Sequence, residues 1–319
     1  MTQRHHRFSR PKKTPCPLND RRLKHLLTLH DHNTLSTDFL HELDCPEMSI
    51  KTTLLDLDWM HASPNSWLDV PQSQAHYANS LKRPMFYSIS EKGQDILLRE
   101  GLINKKRHRV SFHFPHQAMQ DQFLALMKLG AKDYYIPRQA ILAEAPEHTQ
   151  KSRNPLAIET GTVTLIPDLL FGLSDPYRFF LIEIDRGTEQ LAYAEKRTRT
   201  WEGTVKLYDS FFATRAFQKH FGIYKSPIYL LVITVSDNRM HNMMEYWARY
   251  AHTSRHGVAA FQTIPNIGSI NDPIKPTAEF FYRPFHRVNH PPLYLNEGAT
   301  TKAAPTPPGA LKRWFTRQT

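Results

Sequence analysis

The sequence predicts an α+β protein with two folded parts, and three observations carry that prediction. Residues 18–108 give three short helical patterns, two strand candidates and a further capped helix, whereas residues 109–298 alternate longer strand and helix runs. Residues 1–17 and 299–319 are rich in Pro, Lys and Arg, lack apolar periodicity and are expected to be disordered basic arms. At 319 residues the chain is long enough to bury two cores.

The elements of the first part follow in order. "DRRLKHLLTLH" puts Leu23, Leu26 and Leu27 on one helical face, "STDFLHEL" is opened by Ser36, and "SIKTTLLDLDWM" is opened by Ser49. Two strand candidates, "SWLDV" and "PMFYSIS", come next, then "SEKGQDILLREG", a helix capped by Ser90. Three helices and a hairpin make a winged helix-turn-helix. Its second helix-turn-helix element, Ser49 to Met60, would turn Lys51, Thr52 and Asp56 outward toward a DNA groove, although Asp56 and Asp58 oppose that use. The run Asn104 to Arg109 offers Lys105, Lys106, Arg107 and Arg109 for contact with the phosphate backbone, with a solvated linker as the other reading.

The second part opens with the helical stripe "PHQAMQDQFLALMKLG" and continues through "TVTLIPDLL", "RFFLIEID", a helical stretch from about Glu189 to Phe221, "IYLLVITV", a helix near Asn238 to Tyr250, and "AEFFYRPF" read as a strand. A mixed-sheet α/β layer follows from that alternation.

Composition narrows the function. Hydrophobic content is 40% and no apolar run approaches the ~20 residues of a membrane span, so a soluble cytoplasmic protein with no membrane partner is expected. The formal charge is +11, but residues 1–13 carry five Lys/Arg and residues 302–319 four, with no acid in either, so most of the excess lies in the ends. Such ends attract any polyanion without showing that the body reads nucleic acid. Cys16 and Cys45 have no metal or disulfide spacing, and the 18 histidines form no HExxH pattern. With 12 glycines and no glycine-rich phosphate loop, nucleotide-hydrolysing and dinucleotide-binding folds are disfavoured. Aromatic runs at Tyr134-Tyr135, Phe211-Phe212 and Phe280-Phe281-Tyr282 read as core rather than as base-stacking platforms.

The chemistry concentrates in "IPDLLFGLSDPYRFFLIEIDRGTE". In a strand, Glu183 and Asp185 share one face while Ile182 and Ile184 take the other, and a hairpin through "LSDPYR" brings Asp168 beside Glu183. Carboxylates so close repel unless a cation offsets them. A divalent ion on oxygen ligands is one offset; an ion pair with Arg186, Lys196, Arg197 or Lys206 is the other.

Pro167-Asp168, the hairpin and Glu183-x-acid resemble the PD-(D/E)xK nuclease-like fold. More narrowly, "PDLLFGL…FFLIEIDRGTE" with "KLYDSFF", including Lys206 and Tyr208, resembles the replication-relaxation family of plasmid and phage proteins, and "MFYSISEKGQDIL" is similar to the wing strand and closing helix of many bacterial winged-helix proteins. The resemblance implies a PD-(D/E)xK-like α/β domain over residues 109–298 behind a winged-helix domain over residues 18–108.

It also implies Asp168 and Glu183 as ligands of Mg²⁺ or Mn²⁺, with Asp185 in the place of the usual E-x-K lysine. The substitute cation would be Lys206, with Lys196 about 80° away around the same helix, and Glu144 a further acid with Glu159 behind it. His116 and Asp121 are additional neighbours to test. The implied function is a DNA-associated protein of a mobile element, acting in DNA relaxation or replication on double-stranded DNA, with protein partners of a replication or mobilisation complex. The enzymatic version is a metal-dependent endonuclease; the alternative is a non-enzymatic DNA-binding regulator or relaxosome-type accessory factor with a degenerate nuclease fold.

Overall fold

The computed structural model describes residues 13–15, 17–71, 85–106, 114–160, 163–187, 191, 200–269 and 272–298. Two compact units divide the chain: residues 1–129 with 266–277, and residues 130–265 with 278–319.

In the first unit, α1 (Asp20–Asp31) is opened by Asn19, whose side chain accepts from the Arg22 amide, so an otherwise unpaired donor of the first turn is satisfied. Helices α2 (Thr37–Asp44) and α3 (Ile50–His61) follow; Ser49 caps α3 through the Lys51 amide, whereas Ser36 sits at the start of α2 without making a side-chain cap bond. Strands β1 (Leu35–Ser36), β2 (Leu68–Asp69) and β3 (Phe86–Ile89) form an antiparallel sheet in the order β1-β3-β2.

Helix α4 (Glu91–Arg99) begins at Ser90, whose hydroxyl accepts from the Gly93 amide. Gly93 is required there because a Cβ would lie 2.4 Å from the Trp67 carbonyl oxygen. The core holds Leu26, Leu29, Phe39, Leu40, Leu57, Met60 and Leu97, and it also buries polar groups: His25 Nδ1 lies 2.6 Å from Asp44 Oδ2, and Thr28 donates to Asp44 Oδ1. Leu23 and Leu27, expected on the apolar face of α1, are only partly buried because the histidine and threonine side chains take that interior space. Helix α5 (Phe114–Ala131) carries Asp121, which accepts from the Asn33 and Thr34 amides.

The second unit is built on a seven-stranded mixed sheet. Its strands are β4 (Tyr135–Ile136), β7 (Leu169–Ser174), β8 (Tyr177–Ile184), β9 (Ile228–Thr234), β10 (Ala259–Thr263), β11 (Phe285–Arg287) and β12 (His290–Leu293), in the order β12-β11-β10-β9-β8-β7-β4. The three central strands β8, β9 and β10 run parallel, and β7 pairs antiparallel with β8. A separate hairpin joins β5 (Ile158–Thr160) to β6 (Val163–Leu165).

Helices α6 (Arg138–Ala143), α7 (Glu147–Gln150), α8 (Trp201–Ala213), α9 (Ala216–Phe221) and α10 (Asp237–Tyr250) also belong to this unit. Trp201, Val205, Tyr208 and Phe211 of α8 and Met240, Met243 and Trp247 of α10 share one core with Leu170, Leu181, Leu230, Val232 and Phe261 of the sheet. With roughly 1.5–3 kcal/mol for each fully buried large apolar side chain, that layer is the main stabilising feature of the unit.

Three expected elements differ. "TVTLIPDLL" is two strands, β6 and β7, parted at Ile166–Asp168, because Pro167 has no amide to give a ladder. Of the helical stretch expected from about Glu189, residues 188–190 and 192–199 lie outside the described residues; from Trp201 it is helical, is broken at Thr214–Arg215, where Arg215 takes φ 51, and ends at Gly222 with φ 73, a left-handed closing position that suits glycine. "AEFFYRPF" holds the short helix α11 (Glu279–Tyr282) before β11; Phe281 is fully buried, and a Cβ on Gly130 would lie 2.2 Å from it, so packing into that glycine notch overrides the strand preference of the aromatic run.

Candidate functional site

The β7–β8 register pairs Leu169 with Ile182 and places Asp168, one residue before β7, opposite Glu183. The Asp168 amide donates to the Ile182 carbonyl at 3.0 Å, and its carboxylate Oδ2 accepts from the Ile184 amide at 2.8 Å. Glu183 is on the same face as Leu181, toward the core shared with α8 and α10, and Asp185 continues that face, as the two-residue period requires.

Each carboxylate has an internal partner. Glu183, 7% exposed, accepts from the Tyr208 hydroxyl at 2.7 Å. Asp185, 6% exposed, takes a two-pronged contact from Arg239 of α10, Nε to Oδ2 and Nη2 to Oδ1, both at 2.8 Å, and Oδ2 also accepts from Thr234 at 2.8 Å. A planar guanidinium facing a carboxylate in this way is among the strongest ion-pair geometries available to a protein. The position two after Glu183, where a lysine would stand in an E-x-K motif, therefore holds an acid already neutralised by Arg239.

Lys206 does not join them. It is exposed on α8, pairs with Glu202 one turn earlier and lies 4.9 Å from the Tyr250 ring centre. Two residues along a helix turn by about 200°, so Lys206 and Tyr208 face nearly opposite ways, and it is Tyr208 that reaches Glu183. Glu144 is also elsewhere: it lines a cavity with Tyr177 and Phe179 at the start of β8, about 20 Å along the strand from Glu183. Glu159 is exposed on β5, and His116 bonds with Gln120. Asp121 belongs to the first unit, where it is occupied by the Asn33 and Thr34 amides. Lys196 and Arg197 lie outside the described residues. Among the described residues, no group of three His, Cys, Asp or Glu side chains is placed to hold a metal ion.

The residues expected to meet DNA divide similarly. Lys51 is exposed and Thr52 half-buried at the start of α3, but Asp56 is buried and held by Arg21 and Arg22, contrary to its expected outward orientation; the two guanidiniums hold its carboxyl below the usual range against the opposing effect of burial. The exposed surface of α3 and the turn before it also presents the apolar side chains of Met48, Ile50, Leu54 and Leu55. Lys105 is exposed, Lys106 pairs with Asp95 and Glu91, and Arg107 and Arg109 lie outside the described residues. Tyr135 stacks on Phe171, and Phe211, Phe212 and Phe281 are buried, so these aromatics serve packing.

Two partners of the carboxylate cluster carry no role that the sequence alone assigns. Arg239 is 54 residues from Asp185, with no local motif joining them. Tyr208 stands in the family-like stretch, and its position two after Lys206 is the signal that it faces the other way.

No helix among the described residues is long and apolar enough to cross a membrane. In comparison with known proteins, the family model described as replication-relaxation matches residues 26–226, more than half of the chain. That match covers Asp168, Glu183, Asp185, Lys206 and Tyr208 and ends before Arg239. No curated protein and no solved structure matches the chain.

Proposed function

The chain belongs to the replication-relaxation family, and we propose that it acts on the DNA of a mobile element, a plasmid or phage, as a non-enzymatic accessory factor in relaxation or replication. The first unit is read as a winged helix: α1, α2 and α3 with the three-stranded sheet β1-β3-β2 give its parts, and Lys51, Thr52 and Lys105 are its candidate phosphate contacts on duplex DNA. The second unit is read as a degenerate PD-(D/E)xK-like domain. The single observation that carries this reading is the Arg239–Asp185 pair, which closes the position where a nuclease of that fold needs a cation directed at the scissile phosphate.

A second reading, a metal-dependent endonuclease, is favoured by one observation: Asp168 and Glu183 are directly opposed across β7 and β8. Two carboxylates can hold Mg²⁺ or Mn²⁺ when waters and substrate oxygens fill the remaining positions. The residues fit that role poorly, because Asp168 Oδ2 and Glu183 Oε1 already accept internal hydrogen bonds, Asp185 is paired and Lys206 points away.

The experiment incubates purified protein with supercoiled plasmid and Mg²⁺ or Mn²⁺, with EDTA and the Asp168→Ala/Glu183→Ala double variant as controls, and measures duplex binding in parallel. Binding without nicking is the expected result. Metal-dependent nicking that disappears in the double variant establishes the nuclease instead.

A further inference from the structure

A cavity of about 300 Å³ opens at the start of β8, the end of the strand remote from Glu183, within the second unit. Its volume lies at the lower end of the range for small-ligand sites, ~300–1,000 Å³. Ile136, Ile141, Phe179 and Phe221 supply apolar wall, while Tyr177, 44% exposed, and Tyr224, 66% exposed, supply aromatic rings open to solvent. The lining also includes two charged residues, Glu144 and Lys225.

The loop that carries Tyr224 and Lys225 is set by Gly222, whose left-handed φ of 73 ends α9 and lets the chain pass close to Pro146 and the Glu144 carbonyl. Burial first, and then the nearby Glu144 carboxylate, raises the Tyr177 phenol above its usual range, in keeping with a carboxylate placed beside that ring.

We propose that this cavity binds an unpaired nucleobase of single-stranded nucleic acid, one bearing an exocyclic amine. Three features of the lining match such a ligand. A base offers a flat π-face to the exposed tyrosine rings, and stacking of this kind tolerates any base. Glu144 is an acceptor only, so it selects a base edge with an amino donor, as a carboxylate does for the cytosine N4 amine. Lys225 supplies a cation for the adjoining phosphate. A purely apolar peptide side chain would leave both charges unused.

The proposal rests on the nucleic-acid reading above but on different residues, and it gives the second unit a separate role, that of holding a strand that relaxation or replication has opened. Residues of the expected catalytic group are not involved, except that Glu144 becomes a base-edge acceptor.

The test uses the full chain and short single strands of cytosine or of thymine carrying a terminal fluorescein, read by anisotropy, together with a duplex of unrelated sequence. Tighter binding of the cytosine strand is expected. Tyr224→Ala should weaken it roughly tenfold or more, consistent with the value of one stacked base, and Glu144→Gln should remove the preference for the cytosine oligonucleotide over the thymine one. Both variants should bind the duplex as the wild type does. Single-strand affinity unchanged by Tyr224→Ala and Glu144→Gln, or no single-strand binding at all, overturns the proposal. Tyr224-dependent binding of single strands by a chain that does not bind the duplex supports the cavity and overturns the winged-helix reading, so the two failures are distinguishable.

Discussion

The two ends of β8 are chemically opposite. At its C-terminal end Glu183 and the following Asp185 are buried and bonded to Tyr208, Thr234 and Arg239; at its N-terminal end Tyr177 and the neighbouring Tyr224, Glu144 and Lys225 border an open cavity. The end with the more conspicuous motif spends its polar groups on the protein itself, and the end without a motif leaves aromatic and charged groups facing solvent. A cluster of acids in an apolar strand is therefore a poor guide to function until their partners are known, since burial obliges them to find internal ones.

The contrast between the ends is broken most forcefully at the closed one. Arg239→Ala leaves Asp185 buried with its guanidinium partner gone and should cost about 3–5 kcal/mol in denaturant unfolding, whereas the double change Asp185→Leu/Arg239→Met should recover most of that loss. A loss under about 1 kcal/mol for Arg239→Ala would show that the pair is open to solvent and screened.

A buried pair in the first unit sharpens the contrast through pH. Burial lowers the His25 pKa, but its 2.6 Å contact with the Asp44 carboxylate outweighs that and raises the imidazole to about 9. A group raised in the folded state contributes its stability fully below its unfolded value, near 6.5, and loses it as pH rises through about 9. Unfolding free energy should fall by up to ~3 kcal/mol between neutral pH and pH values above that range, and His25→Gln should flatten the slope. An unchanged slope in the variant would assign the titration to another group.

Tyr208→Phe is a smaller perturbation. It removes a donor from the buried Glu183 carboxylate and should cost about 1–3 kcal/mol, read by the same unfolding measurement. At the open end the smallest effect is expected: Glu144→Gln and Tyr224→Ala should stay within about ±0.5 kcal/mol of wild type, because both residues are exposed. Destabilisation beyond that by either variant would mean that the cavity wall is structural.

Much of this architecture is legible in the sequence where the governing interactions are local. Ser49 and Ser90 mark helix starts because their hydroxyls bond amides a few residues away, and the alternation of Ile182, Glu183, Ile184 and Asp185 fixes which residues share a face. The hairpin brings Asp168 opposite Glu183, as expected from its short turn.

What depends on distant chain is not legible. Arg239 meets Asp185 only because β9 pairs parallel to β8 and α10 follows β9 back across the sheet. Glu144 carries no sign of which end of β8 it will reach, and the Phe281 helix depends on the notch at Gly130. The orientation of Lys206 is legible in principle, since Tyr208 and Lys206 cannot both face Glu183 from one helix.

The most direct test of the closed end is a Mn²⁺ titration of the wild type followed by electron paramagnetic resonance, with the Asp168→Ala/Glu183→Ala variant alongside. If the carboxylates are committed to internal partners, the two proteins will give the same weak, non-specific loss of the free-ion signal. A stoichiometric bound ion in the wild type that is absent from the double variant would contradict the account and restore the metal site to the C-terminal end of β8.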